Sequence, residues 1–148
     1  MNGEVLMSHL NKILGKKKPE LHIYSTDDVW CPPSRLPAAY VINTGWREGS
    51  GEHYVTFYMD KNNKTYYFDS FGIKPFKCLK LFWKACNVNY VYYSKDQLQS
   101  PYSDVCGYYA IAFIKDMTKN SFQKFLNRFS SDVNINDRYV VDFVHSLL

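Results

Sequence analysis

The sequence lacks the features that mark several large classes of protein. It has seven glycines and six prolines in 148 residues, with no low-complexity segment and no internal repeat, which argues against a disordered or repetitive chain. No two of its four cysteines have C-x-x-C spacing, so a structural zinc site is not expected. The longest uninterrupted apolar run, residues 108–114, is far too short to span a bilayer, and we expect no membrane contact.

Charge of one sign does not dominate either. The formal net charge is +4, which permits some attraction to nucleic acid but does not by itself predict a partner. Glu4 and His9 interrupt the apolar residues of the N-terminal stretch, so it does not resemble the core of a signal peptide. We therefore expect a protein that is not secreted and that keeps its thiols reduced.

The sequence does contain enough apolar residues for one folded domain. Thirteen tyrosines and ten phenylalanines suggest a core that includes a sheet. Apolar spacing predicts helices over residues 5–14, 76–86, 106 to about 117, 121–129 and 138–148. Strands are predicted over residues 38–43, 53–60, 65–69 and 89–93, whereas Cys31-Pro32-Pro33 favours irregular chain over residues 21–37. The prediction is a single α+β domain over residues 1–148, with a mixed sheet of about four strands.

Cys106 is the first candidate for a chemical role. It follows a polar loop and opens the most hydrophobic predicted helix, where the positive end of the helix dipole favours a thiolate. Gly107, the next residue, would let a substrate backbone approach closely. A lone cysteine is more often a buried structural residue, so its position alone does not decide between the two interpretations.

His53 and Asp69 would supply the partners that a nucleophilic cysteine needs. They lie on two predicted strands joined by a tight loop at Lys61–Asn63, which places Asp69 opposite Val55 and diagonal to His53 on the same face. A carboxylate at that distance can fix the tautomer of the imidazole and stabilise its protonated form. The alternative interpretations are an Asx turn for Asp69 and a surface histidine for His53.

Two blocks of residues resemble the adenovirus protease family. Residues 39–54 read Ala-Tyr-Val-Ile-Asn-Thr-Gly-Trp-Arg-Glu-Gly-Ser-Gly-Glu-His-Tyr, and the block continues to Tyr-Tyr-Phe-Asp-Ser-Phe-Gly at residues 66–72. The second block, residues 98–107, reads Leu-Gln-Ser-Pro-Tyr-Ser-Asp-Val-Cys-Gly. The order histidine, acid, glutamine, cysteine also occurs in the related peptidases that act on ubiquitin-like proteins.

This resemblance implies a compact papain-like α+β fold and a cysteine endopeptidase that cleaves after glycine in viral precursor proteins. It implies a triad of Cys106, His53 and Asp69, with an oxyanion hole made by the side-chain N–H of Gln99 and the backbone N–H of Cys106. The residues expected to line a narrow substrate tunnel are Trp46, Gly51, Tyr54 and Gly107. Such a protein would act as a monomer in the host nucleus or the virion, without a metal or other cofactor.

Departures from the family pattern bear on the site and on its regulation. Tyr54 stands where the family usually has tryptophan, and the acid is Asp69 rather than glutamate. Residues 88–99 align with the region that holds a cysteine bonded to a viral peptide activator, yet they contain no cysteine. We therefore expect any activator, whether DNA or a peptide, to bind noncovalently.

Other interpretations of the same residues stay open. The second enzyme hypothesis is a peptidase that removes ubiquitin or a SUMO-type modifier with the same triad. Outside the enzymes, the alternatives are a catalytically inactive interaction module and a nucleic-acid binder. The lysines that would bind nucleic acid lie on one face of the second predicted helix or in a run near the N-terminus, although such stripes are more often solvated surface: Lys16–Lys18, Lys74, Lys77, Lys80 and Lys84.

Overall fold

The computed structural model of the protein describes residues 1–45 and 53–148, which contain five helices and five strands. The helices are α1 (Gly3–Leu14), α2 (Lys77–Ala85), α3 (Cys106–Lys119), α4 (Phe122–Leu126) and α5 (Val133–Leu147). The strands are β1 (Glu20–Ser25), β2 (Ala38–Asn43), β3 (Tyr54–Met59), β4 (Thr65–Phe68) and β5 (Val91–Tyr93). The predicted α+β class is confirmed. In the described part of the chain, no helix combines the length and apolar character that crossing a membrane requires.

The strands form one mixed sheet in the order β1-β2-β3-β4-β5. Neighbours β1 and β2 are parallel, as are β4 and β5, whereas β3 is antiparallel to both of its neighbours. The sheet has five strands where about four were predicted, because β1 overlaps the segment 21–37 that was expected to be irregular. Its side chains alternate: Leu21 and Ile23 pack against one core cluster, while His22 stacks on Tyr40 with ring centroids 4.4 Å apart.

Helices cover both faces of this sheet, which explains why every residue of the central strand β3 is buried. One face packs against α1, α3, α4 and α5, with Phe68 of the sheet stacked on Phe113 of α3 at 5.5 Å. The other face packs against α2 through Leu79 and Trp83. Burying one such large apolar side chain contributes about 1.5–3 kcal/mol to stability. The sheet therefore holds α3 firmly against β3, where the candidate site lies.

The helix boundaries follow their capping residues. The chain leaves α1 at Gly15, whose φ of 67° is the left-handed conformation that glycine adopts readily. Helix α5 begins five residues before the predicted start at residue 138, because the Asp132 side chain caps it by accepting from the N–H groups of Asn134 and Ile135. This early start places residues 136 and 137 in the first turns of α5, facing the loop that precedes α3.

Candidate active site

The β3–β4 hairpin brings His53 and Asp69 together as the sequence predicted. Thr56 pairs with Phe68 and Met59 pairs with Thr65, the register in which Asp69 follows opposite Val55. In this register the side chains of residues 53 and 69 are diagonal neighbours on one face. His53 Nε2 lies 2.9 Å from Asp69 Oδ1, within hydrogen-bond distance. The Asp69 side chain is buried, so water competes little for this carboxylate.

Cys106 is the third member of this group, because its thiol interacts with the imidazole. It is the first residue of α3 and is buried, with 4% of its surface exposed. Asp69 bonds Nε2 of His53, while Nδ1 is buried and has no hydrogen-bond partner among the described residues. The Cys106 thiol also interacts with the imidazole, and Nδ1 is the ring nitrogen that Asp69 leaves open to it. Burial by itself lowers the pKa of His53, but the hydrogen bond with Asp69 and the interaction with the Cys106 thiol outweigh it. They raise that pKa from 6.5 to about 9, so the imidazole is protonated at neutral pH.

The turn after β4 holds Asp69 in place. Its Oδ1 accepts a hydrogen bond from the backbone N–H of Phe71 at 2.9 Å and also lies 2.9 Å from His53 Nε2. Asp69 therefore forms an Asx turn and bonds the imidazole at the same time. The Phe71 ring packs on the imidazole with centroids 4.7 Å apart. Gly72 closes the turn with φ of 73°, and a Cβ there would lie 2.6 Å from the carbonyl oxygen of Lys95. Glycine is therefore required where the turn approaches the loop leading to Gln99.

Gln99 is buried and its side chain is held at both ends. Ser70 Oγ donates to Gln99 Oε1 at 2.6 Å, which fixes the orientation of the amide. Gln99 Nε2 then donates toward the carbonyl and the hydroxyl oxygens of Ser103, at 3.1 and 3.2 Å. A carboxamide has two N–H hydrogens, so a substrate oxygen would compete with one of these Ser103 acceptors.

Of the four predicted substrate-binding residues, the structure describes Tyr54 and Gly107. Trp46 and Gly51 lie outside the described residues. Tyr54 is in the core, 4% exposed, and its hydroxyl donates to the Met1 carbonyl at 3.0 Å. A Cβ on Gly107 would lie 3.1 Å from Met1 Sδ. Both residues thus contact the N-terminal segment, since α1 lies against α3, and their role in binding a substrate stays a prediction.

The other predicted features stand apart from this site. The lysines 74, 77, 80 and 84 are exposed; the last three lie in α2, whereas Lys74 precedes the helix. Cys31 and Cys78 are exposed and Cys86 is half-buried. Within residues 1–45 and 53–148, no three His, Cys, Asp or Glu side chains are grouped so that they could hold a metal ion.

Sequence reasoning missed several residues that hold the site. Ser70 and Phe71 directly follow Asp69, and their position beside a candidate acid was a usable signal. Tyr109, Asn136 and Asp137 gave no such signal, because helical spacing accounts for Tyr109 and the start of α5 was predicted after residue 137. All three contact the backbone on either side of Gln99.

A thiol at a helix N-terminus, an imidazole that interacts with it and a carboxylate bonded to the imidazole form the arrangement that cysteine peptidases use. The family model described as adenovirus endoprotease matches residues 32–137. The chain therefore belongs to the adenovirus endoprotease family of cysteine endopeptidases, which confirms the resemblance found in the sequence.

A solved structure supports the fold. The chain is similar to the ASFV pS273R protease, with a TM-score of 0.52 and 19% sequence identity over 70% of this chain. The match covers 42% of that protease, so this chain spans less than half of its length. No curated protein sequence matches the chain significantly.

Proposed function

We propose that this protein hydrolyses peptide bonds after glycine in viral precursor proteins, with Cys106 as nucleophile, His53 as acid and base, and Asp69 as the group that orients His53. The observation that supports the proposal is the group formed by a buried thiol, a half-buried imidazole and a buried carboxylate, in which the pKa of His53 is raised to about 9. At neutral pH such an imidazole is charged, and a neighbouring thiol that has given up its proton is the reacting form of cysteine.

In the first half of the reaction, the Cys106 thiolate attacks the carbonyl carbon of the scissile bond. The carbonyl π electrons move to oxygen, giving a tetrahedral intermediate with a negatively charged oxygen. The imidazolium of His53 then gives its proton to the leaving amine as the C–N bond breaks. The product is a thioester between the acyl group and Cys106.

In the second half, neutral His53 takes a proton from water, and the hydroxide attacks the thioester carbon. Collapse of this second intermediate expels the Cys106 thiolate and leaves His53 protonated, which restores the starting state. Asp69 keeps Nε2 of the ring bonded throughout, so Nδ1 stays directed toward the reacting atoms.

Gln99 and the backbone N–H of Cys106 are proposed to stabilise the oxyanion. Cys106 is the first residue of α3, and the N–H groups of a first helical turn have no carbonyl partner within the helix. Ser70 holds the Gln99 carboxamide oxygen, which directs the nitrogen toward the loop before α3. Donors fixed in this way are already oriented when the negative charge develops.

Preference for glycine rests on family membership and on the glycines near His53, since Trp46 and Gly51 lie outside the described residues. We propose cleavage of peptides of the type Leu-x-Gly-x or Leu-x-Gly-Gly after the fourth residue. The exposed lysines of α2 would be the binding surface for DNA, and residues 88–99 carry no cysteine for a covalent peptide activator. Any activator would therefore bind noncovalently to a monomer in the host nucleus or the virion.

The test is turnover of a Leu-x-Gly-Gly peptide by the wild type and by single cysteine variants. Cys106→Ala should abolish cleavage, whereas the exposed Cys31→Ala and Cys78→Ala variants serve as matched controls and should cleave normally. Cleavage by Cys106→Ala would refute the proposed nucleophile.

Substituting phenylalanine at the residue before the cut should stop turnover, and efficient cutting of that peptide would refute the glycine preference. Peptide turnover measured with and without DNA, under reducing conditions, tests whether DNA activates the protein. Full activity of the protein without DNA would refute the need for an activator.

A further inference from the structure

The backbone around Gln99 is bonded on its β4 side by the residue that follows Asp69. The N–H groups of Leu98 and Gln99 both donate to the Ser70 carbonyl, at 2.9 and 3.0 Å. Together with the Ser70 hydroxyl on the Gln99 side chain, these bonds tie the segment Leu98–Ser100 to the end of β4. This accounts for one flank of the segment and leaves the Leu98 carbonyl and the Ser100 N–H to be satisfied elsewhere.

Helix α5 satisfies both of these groups. Asn136 Nδ2 donates to the Leu98 carbonyl at 3.1 Å. The Ser100 N–H donates to the carboxylate of Asp137 at 3.3 Å. The two peptide units on either side of Gln99 are thus bonded to adjacent residues of one helix, which leaves the segment little freedom to shift.

Tyr109 of α3 connects this contact to the nucleophile helix. Its hydroxyl lies 2.8 Å from Asp137 and 3.2 Å from the Leu98 carbonyl. A phenol has one hydrogen, and the closer, charged acceptor takes it, so the hydroxyl chiefly anchors Asp137. The Tyr109 ring is fully buried, three residues after Cys106. The bonds from Asn136 and Asp137 to the backbone on either side of Gln99 are called the Gln99 clamp below. The Tyr109 side chain therefore links the helix that carries the thiol to this clamp.

Asn136 of the clamp is itself held by hydrogen bonds to Ser130. Asn136 is 1% exposed, and its side chain accepts from the Ser130 N–H at 2.8 Å while donating to the Ser130 carbonyl at 2.9 Å. A buried polar network whose members are all bonded is costly to distort, because each broken bond leaves a desolvated group unpaired. Such a network resists displacement of the segment that it holds.

We propose that Asn136, Asp137 and Tyr109 are positioning residues for the peptidase reaction: they fix the backbone on both sides of Gln99 so that its carboxamide meets the developing oxyanion. The inference rests on the proposed function and extends it, since none of the three touches the reacting atoms. In this proposal α5 helps to set the geometry of the oxyanion hole. Its residue Asp137 lies 37 residues after Ser100, whose backbone it bonds.

Asp137→Ala is the direct test, with Asp142→Ala as the matched control, because Asp142 lies on the same helix and is exposed. We expect Asp137→Ala to lower kcat for the peptide by about 10- to 100-fold with little change in KM, since a displaced oxyanion donor affects the transition state more than the substrate. Alkylation of Cys106 by iodoacetamide forms no oxyanion, so its rate should stay at the wild-type value. Asp137→Asn keeps an acceptor oxygen and should recover most of the kcat.

Two results would overturn the proposal: wild-type kcat in Asp137→Ala, or a fall in the alkylation rate that matches the fall in kcat. If Asp137→Ala does not fold, Tyr109→Phe replaces it, because it removes only the hydroxyl; a several-fold loss of kcat supports the clamp, and an unchanged kcat refutes it. Failure of the proposed function appears separately, as cleavage that persists in Cys106→Ala.

Discussion

Replacing His53 by glutamine should change how the stability of the protein depends on pH. Burial lowers the pKa of His53, but the hydrogen bond with Asp69 and the Cys106 thiol raise it from 6.5 to about 9. The native state therefore binds this proton more tightly than the unfolded chain does. The resulting stabilisation is fully present below pH 6.5 and is lost as the pH rises through about 9.

The size of the effect follows from the change in pKa. A rise of roughly 2.5 units corresponds to about 3 kcal/mol, because one unit is worth about 1.4 kcal/mol. The His53 side chain is 21% exposed, so solvent screening reduces the interaction somewhat. We expect the wild type to lose about 2–3 kcal/mol of stability relative to His53→Gln over this range of pH.

Urea unfolding of the two proteins from about pH 6 to about pH 10 measures this difference. Groups far from His53 titrate identically in both proteins and cancel in the comparison, and repeating it in a Cys106→Ala background removes the thiol that interacts with the imidazole. In a Cys106→Ala background the loss should be smaller, because one of the two interactions that raise the pKa is gone. A difference in unfolding free energy that stays flat, or that grows as the pH rises, would refute the reasoning.

Three further predictions concern single side chains. Asp69→Asn should lower kcat by up to about 10⁴-fold, less than the loss in His53→Ala, because it disturbs the tautomer without removing the base; a fully active Asp69→Asn in a peptide assay would move the acid elsewhere. Gln99→Ala should lower kcat by about 10²–10³-fold at nearly constant KM, and an effect on KM alone would reassign Gln99 to substrate binding. Arg128→Met should cost about 3–5 kcal/mol in urea unfolding, because it removes the charged partner 2.5 Å from the buried Asp116 carboxylate, which keeps only the Asn120 amide; a loss below about 1 kcal/mol would contradict this.

The part of the site that could be predicted is the part built by local chain geometry. His53 and Asp69 lie on one hairpin, so a short loop and the two-residue period of strands were enough to set their register. Cys106 could be placed because an apolar helix begins at it. These inferences needed no knowledge of how distant elements pack.

The missed features depend on packing between distant segments. β1 pairs in parallel with β2, so no hairpin turn in the sequence indicates this contact. The Cys31-Pro32-Pro33 sequence between the two strands instead suggested irregular chain. The clamp on Gln99 needs α5 to start at residue 133, which follows from Asp132 acting as a cap. The contacts of Tyr54 and Gly107 with Met1 were not predicted either, because nothing in the sequence indicates that α1 packs against α3.

The central claim is that Cys106 is the nucleophile, and covalent labelling tests it most directly. The protein is incubated at neutral pH with a peptide vinyl sulfone ending in glycine, and the modified residue is mapped by mass spectrometry. We predict a single adduct on Cys106 that forms far more slowly in His53→Ala. An adduct on Cys31 or Cys78, which are exposed, in preference to the buried Cys106 would contradict it.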